Sequence, residues 1–147
     1  MNVNPFPYSL YLVISEEDCM GKNFLEVAEQ AILGGVDMIQ LREKKDSPEV
    51  FLQKALQLIE ITNKYGIPLI INDNITVTEK VNSAGIHVGN SDAAPLNLRQ
   101  RPLIRNKMIG YSIEHLAQLD NEQSAVADYL GISPVFRTKT KTDTITE

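Results

Sequence analysis

The chain reads as an alternating β/α protein built on a parallel sheet, and three observations predict this. Short β-rich runs bounded by Gly, Pro or polar residues recur six times along the 147 residues. Between successive runs lie segments whose apolar residues follow helical rather than strand spacing. Every strand from the second onward is followed by polar or charged residues, as expected of a sheet that binds its ligand at the carboxyl ends of its strands.

After a leader containing Pro5 and Pro7, residues 10–14 (LYLVI) form the first strand. Asn23 caps a helix whose apolar positions Phe24, Val27, Ala28, Ala31 and Ile32 share one face, and Gly34-Gly35 ends it. Residues 36–41 supply strand two. Ser47-Pro48-Glu49 is a strong helix start, with a capping hydroxyl, a first-turn proline and an early acid. That helix runs to about Tyr65 on a face that includes Phe51, Ala55, Leu58 and Thr62, and Gly66 and Pro68 punctuate its end. Leu69-Ile70-Ile71 and Ile86-His87-Val88 are strands buried on both faces, joined by a helix over residues 75–83. Residues 93–101 predict a short helix, 108–112 strand five, and 114–127 a helix with Leu116, Leu119, Val126 and Ala127 in the core. Residues 129–133 are strand six. Six strands leave two architectures. One is an open, doubly wound sheet; the other is a (β/α)8 barrel without its last two units, since a complete barrel needs eight strands and roughly 200 residues.

Hydrophobic residues make up 43% and charged residues 22% of the chain, ordinary for one globular domain spanning residues 1–147. The formal net charge of -5 argues against a general binder of nucleic acid or anionic membrane. The single cysteine, Cys19, excludes an internal disulfide and fits a reducing cytoplasm. The N-terminus lacks the basic and long apolar regions of a signal peptide, and no apolar run approaches ~18 residues. Cytoplasmic localisation is the expectation.

The stretch from Gly66 to Asp92 organises the chemistry. Asn72-Asp73 follows strand three and Ser91-Asp92 lies just beyond strand four, so both aspartates point at one mouth. Two converging carboxylates repel each other or share a cation. With Asn72 and Ser91 as neutral oxygen donors, Mg²⁺ brought in with a substrate phosphate is the natural occupant. The competing reading is that both aspartates cap the helices that follow. Arg42 and Lys44, after strand two, can reach the same mouth and suit a phosphate, although solvated surface charge explains many such runs. Ser112 ends strand five. Thr138, Thr140 and Lys141 offer hydroxyls and an ammonium after strand six, with a frayed polar end as the alternative. His87, inside a strand, reads as an inward-facing histidine with satisfied ring nitrogens rather than a base, and His115 as an exposed one. No G-x-G-x-x-G or P-loop is present.

Four motifs in register resemble thiamine-phosphate synthase. They are Gln40-Leu41-Arg42-Glu43-Lys44, Ile71-Asn72-Asp73, Gly85-Ile86-His87-Val88-Gly89 with Ser91-Asp92, and Pro134-Val135-Phe136 with Thr138-Lys139-Thr140-Lys141. The resemblance implies a TIM-barrel-like (β/α)8 fold with about six units present. It also implies a transferase that joins hydroxymethylpyrimidine pyrophosphate to thiazole phosphate and releases pyrophosphate. Residue by residue, Gln40, Leu41, Arg42, Glu43, Lys44, Asn72, Ser112 and Lys141 would bind the pyrimidine pyrophosphate, and Asp73 and Asp92 would hold Mg²⁺. Thr138, Lys139 and Thr140 belong to the stretch that would meet the thiazole phosphate. Arg42, Lys44, Ser112 and Lys141 would carry catalysis. The chain departs from the family pattern at Asn74 (usually Arg), Asn90 (Gln), Ser133 (Gly) and Arg137 (Pro), and His115 is offset by one. Strands seven and eight have no counterpart. A thiazole tautomerase on the same barrel, or an inactive remnant that binds phosphate weakly, are the alternatives; the Asp73/Asp92 pair and Lys141 favour the synthase. Two open strand edges would expose apolar surface, and a homo-oligomer that covers them is a further expectation.

Overall fold

The computed structural model describes residues 6–136 and 139. Thr138, Thr140 and Lys141 therefore lie outside the described residues. Six parallel strands form one sheet in the order β1 to β6: β1 (Tyr11–Ile14), β2 (Met38–Leu41), β3 (Leu69–Asn72), β4 (Gly85–Val88), β5 (Met108–Ile113) and β6 (Tyr129–Ile132). Consecutive strands are neighbours throughout, the arrangement of a barrel wall rather than of a doubly wound sheet, whose order reverses at a switch point. The crossovers are α1 (Phe24–Leu33), α2 (Pro48–Tyr65), α3 (Ile75–Val81), α4 (Pro95–Arg99) and α5 (Glu122–Val126).

Local chemistry sets most of these boundaries. The Asn23 carboxamide accepts from the backbone N–H of Leu25 and Glu26, and the Ser47 hydroxyl from that of Val50. Both satisfy donors that the first helical turn leaves open. Gly66 closes α2 in the left-handed region, with φ 67°.

The sheet sorts its residues by the two-residue pleat period. Ile39 and Leu41, Leu69 and Ile71 point outward and pack with Ile14 against Phe24, Ala28, Phe51, Ala55, Leu58, Val77 and Val81 of the helices. Ile86 and Val88, with Ile109, Tyr111 and Ile113, form a second such layer with Leu98 and Ile104. Each fully buried aliphatic side chain in these layers contributes about 1.5–3 kcal/mol. Gln40, Asn72, His87 and Ser112 alternate with them, so their side chains turn to the concave face.

The predicted helix over residues 114–127 is a correction. It divides into a 3-10 turn (Leu116–Asp120) and the short α5, separated by Asn121 at φ -81°, ψ 160°. Asn121 caps α5 by accepting from Ser124 N–H, while Gln118 Oε1 accepts from the N–H of Glu114 and His115. These local side-chain bonds compete with a continuous helix. Leu116 and Leu119, expected in the core, are 76% and 42% exposed.

Candidate active site

The carboxyl ends of the strands surround a cavity of about 950 Å³ lined by Gln40, Arg42, Lys44, Asn72, Asp73, His87, Ser91, Asp92 and Ser112. Residues up to 72 positions apart in the chain thus meet at one mouth because parallel crossovers return every strand end to the same side.

Neither aspartate caps a helix. The cap of α3 is Asn74, which accepts from Val77 N–H, and α4 begins at Ala94 without a side-chain cap. Asp73 instead forms an ion pair with Lys44 and stands within hydrogen-bonding reach of Asp92. Burial, then the Asp92 carboxyl, push the Asp73 carboxyl up to about 6, with Lys44 acting the other way. Asp73 also holds φ 59°, a left-handed backbone that is sterically costly for a side-chain-bearing residue. Asp92 Oδ2 accepts from Gly89 N–H at 2.8 Å, which fixes the turn that carries it. Two adjacent carboxylates whose mutual repulsion Lys44 relieves only in part suit a divalent cation. A pair of carboxylates, without a cage of further protein ligands, is the donor set Mg²⁺ uses when it keeps waters and takes phosphate oxygens. Among the described residues no group of three or more His, Cys, Asp or Glu could hold a metal.

Behind the mouth, the lumen is wired by side chains. Asn72 Nδ2 donates to Gln40 Oε1 (3.0 Å), and Gln40 Nε2 donates to the Tyr11 hydroxyl (2.9 Å). The Tyr11 and Tyr129 hydroxyls meet at 2.6 Å, Tyr129 reaches His87 Nδ1 at 3.0 Å, and His87 Nε2 reaches Ser112 Oγ at 2.7 Å. Burial first of all pushes the Tyr11 phenol up to about 12 and the Tyr129 phenol further still, so both stay protonated at neutral pH. His87 thus joins the Tyr129 hydroxyl at Nδ1 to the Ser112 hydroxyl at Nε2. His87 is accordingly an inward-facing residue with both ring nitrogens engaged.

Three sequence expectations take a different place. Leu41 is fully buried among the helix-facing residues, because the pleat turns it away from the neighbouring Gln40. Glu43 also turns from the mouth: it accepts from Glu16 N–H at 2.7 Å and faces Lys54. Lys139 is exposed and does not line the cavity. Conversely, Tyr11, Tyr129 and Asn90 line it unforeseen. The available signal was a tyrosine at an inward position of the first and sixth strands, with the small Gly110 opposite Tyr129.

The chain matches the family model described as thiamine monophosphate synthase over residues 10–147. It is 41% identical over 139 residues to the thiamine-phosphate synthase of Shouchella clausii, covering 95% of this chain and 66% of that one. With the thiamine-phosphate synthase of Halalkalibacterium halodurans it is 41% identical over 138 residues, covering 94% and 65%. The chain thus spans just under two thirds of the length of these relatives. Among solved structures, the thiamine phosphate pyrophosphorylase from Pyrococcus furiosus superposes with a TM-score of 0.78 at 25% identity, over 88% of this chain and 61% of that one. The family model spans nearly the whole chain, and the chain belongs to the thiamine monophosphate synthase family.

Proposed function

We propose that the chain carries the pyrimidine pyrophosphate half of a thiamine-phosphate synthase site. The reaction is transfer of a hydroxymethylpyrimidine group from its pyrophosphate to thiazole phosphate. The observation that carries this reading is the convergence of Arg42, Lys44, Asn72, Asp73, Asp92 and Ser112 on one cavity, with neither aspartate spent on a helix cap.

Loss of pyrophosphate builds negative charge on the departing oxygens, and fixed cations at those oxygens lower the barrier. Arg42 offers a planar fork for two of them, and Lys44 a compact charge once it exchanges its Asp73 partner for the substrate. Asp73 and Asp92 would hold Mg²⁺, which when bound supplies further charge neutralisation at the pyrophosphate. Asn72, held by Gln40, and Ser112, held by His87, present fixed polar groups beside the leaving group. The pyrimidine cation that forms is then captured by the thiazole nitrogen. No acid–base pair is required for that step. The ligands are small phosphorylated molecules, and the setting is cytoplasmic.

Titration calorimetry with inorganic pyrophosphate tests the reading. Binding is expected with Mg²⁺ and not without it, and Asp92→Asn is expected to abolish this Mg²⁺-dependent binding. Thiamine phosphate formation from the two substrates, with and without Mg²⁺, tests the full reaction for a chain that carries the whole barrel. Pyrophosphate binding that ignores Mg²⁺ would place the site wrongly, and tautomerase activity without coupling would rule out the transferase.

A further inference from the structure

We infer that Lys54, a residue outside the cavity, is a positioning residue that sets the anion-binding segment after β2. The inference rests on the reading of that mouth as a pyrophosphate site.

Lys54 lies near the end of the second turn of α2, and its side chain is only 12% exposed. Helical side chains lean toward the helix N-terminus, which aims this one back at the strand-end loops. Its Nζ lies 2.6 Å from Glu16 Oε2, 2.7 Å from Asp46 Oδ2 and 3.5 Å from Glu43 Oε1. Glu43 is 6% exposed, and Asp46 Oδ2 is closed off from solvent. Glu16 belongs to the loop after β1, Glu43 and Asp46 to the loop after β2, and Glu16 N–H also donates to Glu43 Oε1. One ammonium therefore ties two strand-end loops to the helix that follows them.

The consequence falls on Glu43's neighbours. Arg42 and Lys44 line the cavity while Glu43 points the opposite way. The inward grip on Glu43 is thus what presents the cations on either side of it. Burial works against the charge of Lys54, but hydrogen bonds to Asp46 and Glu16 and the field of Glu43 hold its ammonium above the ordinary lysine value. Without that charge, the shielded Glu43 and Asp46 carboxylates are left facing each other beside the more exposed Glu16, and a partly buried ion pair broken on one side costs far more than it contributed. The segment 42–46 then has to move outward to hydrate Glu43 and Asp46, and Arg42 and Lys44 move with it.

The test compares the full chain with Lys54→Met, Lys54→Arg and Glu43→Gln, by hydrogen exchange and by titration with inorganic pyrophosphate plus Mg²⁺, well below each melting temperature. Lys54→Met is expected to speed exchange of the amides in residues 42–46 at least tenfold while those of β3 and β4 keep their rates. It is also expected to weaken pyrophosphate binding at least tenfold. Lys54→Arg is expected to restore most of both. Glu43→Gln, which keeps the lysine and two of its partners, gives a smaller change in the same segment and serves if Lys54→Met does not fold. Unchanged exchange in residues 42–46, or a uniform acceleration through all strands, would overturn the inference. So would unaltered pyrophosphate affinity in Lys54→Met. If the unaltered chain binds no pyrophosphate at all, the anion-site reading fails, and the exchange rates still decide the role of Lys54.

Discussion

Gly110 faces the lumen from β5, and a side chain there would occupy the space in which Tyr129 meets His87. A Cβ at this position falls 2.2 Å from Tyr129 Cζ, 2.3 Å from its hydroxyl oxygen and 2.4 Å from His87 Nδ1. All three contacts are far inside van der Waals distance, so in Gly110→Ala either β5 shifts or the Tyr129 ring leaves. Overpacking of this kind costs about 1–3 kcal/mol. Departure of the ring breaks the Tyr11–Tyr129 and Tyr129–His87 bonds, each worth about 0.5–1.5 kcal/mol net. Either route predicts a loss of about 1–3 kcal/mol, which corresponds to a melting temperature lower by roughly 2–12 °C for a chain of this size. The assay is a double-mutant cycle with Tyr129→Leu, which removes the atoms the new methyl meets. Gly110→Ala is expected to cost about 1 kcal/mol or more less on the Tyr129→Leu background than on the unaltered one. A Gly110→Ala variant that melts within a degree of the parent, or two changes that simply add, would show that Tyr129 does not pack against β5 as described.

Gly85→Ala should be worse than Gly110→Ala, because its nearest neighbour, at 2.3 Å, is the backbone oxygen of Met108 on the adjacent strand. Relief there requires β4 and β5 to separate; equal or milder destabilisation in a thermal melt would refute this. Asp37 accepts from Ser9 and Leu10 N–H at 2.8 and 2.9 Å, and those bonds hold its carboxyl below the usual carboxylate range. Because the folded value is the lower one, this support is present above the ordinary carboxylate pKa and is lost as pH falls through the depressed value. Asp37→Asn should therefore lower stability at neutral pH and flatten its decline in acid, read from urea midpoints across pH. The Asp73 carboxyl runs the other way: raised in the folded state, it costs stability as pH rises from its ordinary value of 3.8 to about 6, and the cost persists above that. Without Mg²⁺ at pH 7.5, Asp73→Asn is expected to be more stable than the parent, by on the order of 1–2 kcal/mol once solvent screening is allowed for. Added Mg²⁺ should stabilise the parent alone, and a variant less stable than the parent in metal-free buffer would refute the account.

The element order was legible because its signals are local. Asn23, Ser47-Pro48 and Gly66 act within one helical turn, and Leu69-Ile70-Ile71 is apolar enough to be a strand wherever it lies. The run from Glu114 to Ala127 misled for the same reason. Its apolar spacing is helical, but the side chains of Gln118 and Asn121 bond to nearby backbone and divide it. Asp73 and Asp92 were legible as strand-end neighbours aimed at one mouth; deciding between caps and a shared site required knowing that Asn74 had taken the cap of α3.

The sequence by itself determined which residue types stand at the ends of which strands, since strand, turn and cap preferences act over a few residues. The tertiary structure alone decided which of them face the mouth. The pleat sends Gln40 inward and Leu41 outward, and the Lys54 ammonium turns Glu43 away from Arg42 and Lys44. The meeting of Tyr11 with Tyr129 across the lumen follows from the curl of all six strands. That curl sums the packing of every helix on the sheet, a quantity that no window of neighbouring residues contains.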